Sequence, residues 1–213
     1  MHGITASGDL RNVVKTITDL PNNFENQVKA TINNREFEVV ARNVILLLLA
    51  LNTENVRAAA DTSEMWDIAE SLIHLWYSAF ISTNVLSRLH TQVKPLIEDV
   101  CNRVAEKAAN VILGKTWRFT SGNTLRLVLR KQEWFSLRGF LDVPDGLTQE
   151  EAGGIRAATT LAPERVDYRD RWYFKDQTLF MRIAKQRFRE DGLLLHFGHP
   201  RAGFSIPKSV SLV

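Results

Sequence analysis

The chain has 213 residues, of which 45% are apolar and 24% are charged, and this composition excludes an intrinsically disordered protein. Lys and Arg number 27 against 24 Asp and Glu, so the formal net charge of +3 gives little support to nucleic-acid binding. The single cysteine, Cys101, excludes an internal disulfide and a cysteine-rich zinc site, and it is typical of a cytoplasmic protein.

The longest apolar run, Val44–Leu51, is too short to cross a membrane. A membrane-spanning helix needs about 20 mostly apolar residues. The run therefore predicts a buried helix, and we expect no membrane association. The first 30 residues have no basic start followed by an apolar stretch, so we expect no secretory signal.

Strands and helices are predicted to alternate in the first part of the chain. The predicted elements are a strand over residues 2–6, a helix over Leu10–Thr18, a strand over Gln27–Ile32 and a helix over Glu36–Leu51. This order is typical of a parallel α/β sheet.

Long helices are predicted to follow. Apolar residues at three-to-four spacing indicate a helix over Ser63–Phe80, and a further helix is predicted from Thr83 to Leu113. Pro95 is expected to break or kink the latter helix, and Gly114 to close it.

The last part of the chain is predicted less regularly. Residues 116–129 fit either helix or strand, and Asp142–Gly146 predicts a turn. Further predictions are a helix over Thr148–Ala158, a charged segment over Asp167–Arg171, a basic helix over Thr178–Glu190 and a possible strand over residues 193–197. We expect a single helix-rich α/β domain over residues 1–213, with a possible division into residues 1–113 and 114–213.

The segment Ser7-Gly8-Asp9 opens the first predicted helix and allows two interpretations. In Rossmann-type folds a glycine turn after the first strand approaches a cofactor, and a residue at the end of the second strand binds its ribose. Gly8 and Asp9, with Asn33 and Asn34 one strand later, fit these positions. Alternatively, Ser7 or Asp9 simply caps the helix, and Gly8 makes the turn.

Five other polar side chains are candidate site residues. Arg35 and Arg42 are seven residues apart and would share one helical face, where they could reach a phosphate or pair with Asp9, Glu36 or Glu38. The sequence around His74 favours a packing histidine. His196 and His199 lack a third nearby metal ligand, so no metal site is expected.

Cationic and aromatic side chains allow binding of another macromolecule. Arg182, Lys185 and Arg189 line one face of the basic helix, which is either solvated or binds an acidic partner or an RNA backbone. Most tryptophans are expected in the core, and an exposed one would indicate a protein interface. The tryptophans are Trp66, Trp76, Trp117, Trp134 and Trp172.

Several of these motifs together carry a family resemblance. Gly8, Asp9 and Arg11 match a Gly-Asp-x-Arg turn, and Asn33 and Arg35 match an Asn-Asp-Arg ending of the second strand. The other matches are Ala41-Arg42-Asn43 before a leucine-rich helix and the pair Trp76-Tyr77. The sequence thereby resembles an uncharacterised domain of fungal proteins, often found beside a MYND-type zinc finger. The same domain forms the N-terminal part of dynein axonemal assembly factor 3 proteins.

The resemblance implies a Rossmann-like, methyltransferase-like first half with an incomplete first strand, packed on a helical second half. Asn34 stands where the family has an acidic residue. The resemblance further implies protein partners of the chaperone or dynein-assembly type. We therefore expect an intracellular, assembly-factor-like protein-interaction domain, since the chain shows no complete catalytic constellation.

The alternative is a methyltransferase-like protein with a degenerate S-adenosylmethionine site formed by Gly8, Asp9, Asn33 and Asn34. The residues expected to serve structure or interaction are Arg11, Arg35, Arg42, Asn43, Trp76 and Tyr77.

Overall fold

A computed structural model describes residues 2–7, 10–52, 62–143, 146, 148, 150–154 and 178–208. In chain order its elements are β1 (His2–Ser7), α1 (Leu10–Thr18), β2 (Val28–Asn33), α2 (Phe37–Leu51), α3 (Thr62–Tyr77), β3 (Phe80–Ser82), α4 (Thr83–Arg88), a π-helical turn (Leu89–Val93), α5 (Lys94–Val104), β4 (Ile112–Arg118), β5 (Thr124–Arg130), α6 (Lys131–Gly139), α7 (Leu179–Asp191) and β6 (Phe204–Pro207). The protein is thus mixed α/β and rich in helix.

The described strands pair two by two. β1 and β2 are parallel, with Ser7 opposite Asn33 at their carboxyl ends, and they flank α1 in sequence. This confirms the predicted strand–helix–strand order and its parallel pairing. β3–β6 and β4–β5 form separate antiparallel pairs, so within the described ranges the parallel sheet is limited to two strands.

Helix α2 forms the centre of the core. Its apolar residues face several sides, and Ala41, Leu48 and Leu49 are fully buried. Around it pack α3, the π-helical turn and β5. The prediction of a buried helix over the leucine run is therefore confirmed. Among the residues described, no helix is long and apolar enough to span a bilayer.

The prediction of one helix from Thr83 to Leu113 is wrong in its extent. The helical segment passes from α4 through the π-helical turn into α5 and ends at Val104. Pro95 lies in the first turn of α5, where its missing N–H is tolerated, so the expected interruption is confirmed. Gly114 does not close a helix, because it lies within β4.

A β-hairpin resolves the ambiguity at residues 116–129 in favour of strand. β4 and β5 pair with Trp117 opposite Leu125 and Leu113 opposite Leu129. α6 follows directly and buries Trp134, whose Nε1 donates to the carbonyl of Leu113 at 3.2 Å. The Trp117 and Trp134 rings meet edge-on at 6.0 Å.

The helix Ser63–Phe80 was predicted too long, because α3 ends at Tyr77 and Phe80 begins β3. β3 pairs with β6, so the predicted strand at 193–197 is wrong and the strand lies at Phe204–Pro207 instead.

The basic helix α7 lies within one residue of its predicted bounds. It ends at Gly192, whose φ of 72° is the left-handed conformation that favours glycine at a helix end.

A short helical stretch at 150–154 confirms the start of the helix predicted over Thr148–Ala158. Thr148 Oγ accepts the Glu151 N–H at 3.2 Å, as a capping threonine does. Residues 155–158, the charged segment 167–171, Trp172 and two residues of the predicted turn at 142–146 lie outside the described residues.

Truncation of Leu48 tests the central position of α2. Because Leu48 is fully buried, we expect Leu48→Ala to lower the free energy of unfolding by about 2–5 kcal/mol. Urea unfolding measures the change, and Val128→Ala is the control because Val128 is half exposed. Equal losses in the two variants would contradict the central role of α2.

Candidate functional site

The residues predicted for a cofactor lie around the carboxyl ends of β1 and β2. Asn33 is exposed and stands opposite Ser7 in the parallel register, whereas Gly8 and Asp9 lie outside the described residues. Asn34 Oδ1 accepts the backbone N–H of Glu36 at 2.8 Å. The amide oxygen of Asn34 therefore shapes the turn into α2, which is a structural use of the residue for which the resemblance implies a carboxylate.

Arg35 and Arg42 do not share a helical face. α2 begins at Phe37, so Arg35 lies in the bend before the helix and is exposed, whereas Arg42 is half-buried within α2. The expected common face is therefore wrong, because the helix begins later than the spacing assumed. Arg11 is exposed on α1.

The remaining family positions lie in or against the core. Asn43 is buried in α2. Trp76 and Tyr77 are half-buried at the end of α3, with their rings stacked at 5.7 Å and 11° between planes. Asn43 is therefore a core residue, and Trp76 and Tyr77 pack on each other where α3 ends.

Arg42 lines a mainly apolar groove, here called the α2 groove. Its other lining residues are Ile45, Leu46, Leu75, Ile81, Leu86, Leu89, Phe140, Leu141, Asp142, Val143, Pro207 and Lys208. Its empty volume is about 420 Å³, which includes open solvent, so it is a shallow groove and not an enclosed cofactor cavity.

Ion pairs from distant parts of the chain hold one wall of the α2 groove. Asp142 Oδ1 lies 2.6 Å from Lys94 Nζ and 3.3 Å from His90 Nε2. Lys208 Nζ donates to the carbonyl of Leu75 at 2.7 Å, and this satisfies an oxygen in the last turn of α3. Neither Asn33 nor Asn34 lines the groove.

His74 joins the end of α3 to the C-terminal segment. Its Nδ1 lies 2.9 Å from Ser78 Oγ, and that oxygen accepts the N–H of Leu194 at 3.2 Å. His74 Nε2 faces a Glu70 carboxylate oxygen at 3.6 Å, and its ring packs at 4.5 Å on Phe204. The prediction of a packing histidine is confirmed, since His74 is buried.

The series Glu70, His74 and Ser78 has the order of an acid, a base and a nucleophile. Ser78, however, is fully buried, and Leu194 N–H already occupies its oxygen. A substrate cannot reach this hydroxyl. The series therefore fastens the C-terminal segment to α3 and does not form a hydrolytic site.

Cys101 and the remaining histidines show no catalytic arrangement. Cys101 is buried, its Sγ lies 3.4 Å from the carbonyl oxygen of Trp134, and burial raises the pKa of its thiol. A raised pKa disfavours the reactive thiolate. His196 and His199 are exposed, and the described part of the chain contains no group of three potential metal ligands.

Sequence reasoning missed the α2 groove and the contacts of Ser78, Asp142 and Lys208. Lys94 and Asp142 meet across 48 residues, and Lys208 reaches Leu75 across 133. No local spacing signals such pairs, because only the tertiary fold brings them together.

Comparison with known proteins adds one finding. Residues 4–81 match the family model described as a domain of unknown function (DUF4470). The matched segment runs from β1 into β3 and includes the motifs from Gly8 to Tyr77, which agrees with the expected uncharacterised domain family. No curated protein and no solved structure matches the chain.

The buried imidazole of His74 predicts a pH dependence of stability. Burial lowers the pKa of His74, against the opposing effect of Glu70. As the pH falls below about 6.5, the unfolded chain takes up this proton first, so the free energy of unfolding decreases. Above that pH the contribution of neutral His74 is fully present.

Urea unfolding near neutral pH and near pH 5 measures this effect. We expect His74→Gln to lose less stability than the natural chain between the two conditions. His196→Gln, which removes an exposed imidazole, is the matched control. An unchanged pH dependence in His74→Gln would show that His74 does not contribute.

Proposed function

We propose that this chain is a non-catalytic, intracellular protein-interaction domain whose contact surface is the outer face of α3. One observation carries the proposal. Met65, Trp66 and Ile73 are 63%, 76% and 45% exposed, and they form what we call the α3 stripe. Helical geometry places Trp66 and Ile73 on one face, and Met65 lies about a quarter-turn around the helix from them.

The composition of the α3 stripe favours a protein partner. Trp is enriched in protein–protein contact sites, and exposed apolar side chains that lie together mark binding surfaces. The same helix buries Ile68 and Leu75 on its other side, so α3 has one apolar face for the core and one for contact. The buried Ser78 hydroxyl and the buried Cys101 thiol support a function without covalent catalysis.

The resemblance to dynein axonemal assembly factor 3 proteins and to MYND-associated fungal domains favours a role in protein assembly. The family match over residues 4–81 includes all of α3, so the proposed contact surface belongs to the matched domain. Under this proposal the client is a protein bound through α3, and the location is cytoplasmic.

Photo-crosslinking tests the contact surface. A benzoyl-phenylalanine at position 66 of the full chain should give a discrete set of products in a lysate of the source organism, identified by mass spectrometry. The same group at Ile112, which is 64% exposed on β4, is the matched control. We expect the products at position 66 to disappear with Ile73→Asp, because a charge on the stripe opposes apolar contact. Identical products at both positions would contradict the proposal.

A second candidate function is a Rossmann-like domain with a degenerate S-adenosylmethionine site. The parallel β1–α1–β2 unit favours it, because the register sets Ser7, which precedes Gly8, opposite Asn33. Two observations oppose this function. Asn34 Oδ1 already accepts the Glu36 N–H, and neither Asn33 nor Asn34 lines the shallow α2 groove.

Calorimetric titration with S-adenosylmethionine separates the two functions. We expect no saturable heat, because Asn34 offers an occupied amide oxygen where a carboxylate would bind the ribose. Saturable binding that is lost in Gly8→Leu and kept in Gly139→Leu would instead establish the cofactor site. Gly139 is a suitable control because a Cβ there meets no atom within 4 Å.

A further inference from the structure

A ridge of acidic residues accompanies the α3 stripe. Asp67 and Glu70 lie between Trp66 and Ile73 along α3, which carries no Lys or Arg, whereas helical geometry turns Glu64 toward the side that buries Ile68 and Leu75. Arg88 of α4 lies 3.8 Å from Glu64 and 3.5 Å from Asp67, so it offsets part of this charge. Asp67 and Glu70 together carry two negative charges against the one of Arg88, in a chain whose formal net charge is +3. A partner of the α3 stripe should therefore be apolar and basic.

α7 has this composition on its own exposed surface. Leu179, Phe180 and Met181 are 66%, 60% and 52% exposed at the start of the helix. The Phe180 ring packs at 5.2 Å on Phe197, which is itself half exposed, and the Arg187 guanidinium lies 5.9 Å from the Phe197 ring. We call the four apolar residues Leu179, Phe180, Met181 and Phe197 the α7 patch.

Positive charge surrounds the α7 patch. Arg182 follows it directly in the sequence, and α7 as a whole contains four Lys or Arg against two acidic residues. Both Arg182 and Arg187 are exposed. The α7 patch is thus the basic, apolar counterpart that the acidic α3 stripe requires.

We propose that the α3 stripe binds the α7 patch of a second copy of this chain. This inference rests on the proposed function, because it uses the same contact surface on α3. It adds the identity of the partner, a second copy of the chain. Pairing of α3 with α3 would bring two acidic ridges together, so charge favours the pairing of α3 with α7. Within one protomer both surfaces are exposed, and therefore they do not cover each other.

The position of the two helices suits a closed dimer. α3 and α7 both end at one corner of the protomer, where the Ala79 N–H donates to the Gly192 carbonyl at 2.9 Å. A two-fold axis beside this corner lets α3 of each protomer meet α7 of the other. Both contacts then form at once, which doubles the apolar area buried and closes the assembly at two copies.

Sedimentation velocity and light scattering on the full chain test this inference. We expect the mass to rise from monomer to dimer as the concentration increases through the micromolar range. Trp66→Asp and Met181→Asp should each raise the dissociation constant at least about tenfold, since each puts a charge into both apolar contacts. Ile112→Asp, at an equally exposed position on β4, should behave as the natural chain.

Mixing the two interface variants gives the decisive result. The Trp66→Asp chain keeps its α7 patch and the Met181→Asp chain keeps its α3 stripe, so their mixed dimer retains one of the two contacts intact. We expect the mixture to dimerise more strongly than either variant alone. Circular dichroism melting of each variant confirms that the fold is kept, as the exposure of both residues predicts.

Three results would overturn the inference. The first is a natural chain that stays monomeric at several hundred micromolar. The second is a pair of variants that dimerise as strongly as the natural chain. The third is a mixture of the two variants that dimerises no more strongly than either variant alone, which would assign dimerisation to another pairing. If the chain is monomeric but position 66 crosslinks a different protein, the proposed function holds and only self-association fails. If position 66 crosslinks only within the same molecule, giving a product of monomer mass, another segment of that molecule covers the stripe and both proposals fail.

Discussion

The burial of α2 is the constraint on which the rest of this structure depends. Its residues from Ala41 to Leu49 are almost all apolar, so the helix is stable only when other elements cover it on most sides. α3, the π-helical turn and β5 provide this cover. Residues as distant in sequence as Leu10 and Leu141 join the same core, and the β4–β5 hairpin with α6 closes it through Trp117 and Trp134.

The same constraint determines which surfaces remain for function. α3 uses one side to cover the core, and its last turn is then fastened by Ser78, by Lys208 and by β6 pairing with β3. These contacts satisfy polar groups at the end of the helix without a ligand. The α2 groove remains between these elements, and Pro207 and Lys208 are among the residues that line it.

Local signals in the sequence predicted the elements whose ends are set locally. α1 lies at its predicted residues and Leu20-Pro21 follow its last turn as a local stop signal, and Gly192 ends α7 by its own left-handed conformation. β3 and β6 were missed because strands of three and four residues carry almost no periodicity. They pair across more than 100 residues, a separation that local sequence patterns do not report.

At the candidate site, too, the sequence predicted the features that depend on nearby residues and missed those that depend on the tertiary fold. The sequence placed Asn33 correctly at the end of a strand beside β1, and His74 correctly in the core. It could not show that Asn34 is used by the turn into α2, or that Ser78 is sealed by Leu194 from the far end of the chain. Both facts depend on which backbone N–H group each side-chain oxygen accepts. A pattern of residue types does not show this choice.

The exposure of Trp66 is the feature that the fold itself does not explain. A side chain that is 76% exposed contributes little burial energy to folding, whereas Trp134 on α6 is fully buried and hydrogen-bonded. Large apolar side chains left together in water favour association, because covering them releases the same free energy that folding gains in the core. Covering the α3 stripe with an apolar partner surface would therefore gain free energy, as the proposed function requires. The acidic residues beside the α3 stripe favour a partner whose contact surface is positively charged.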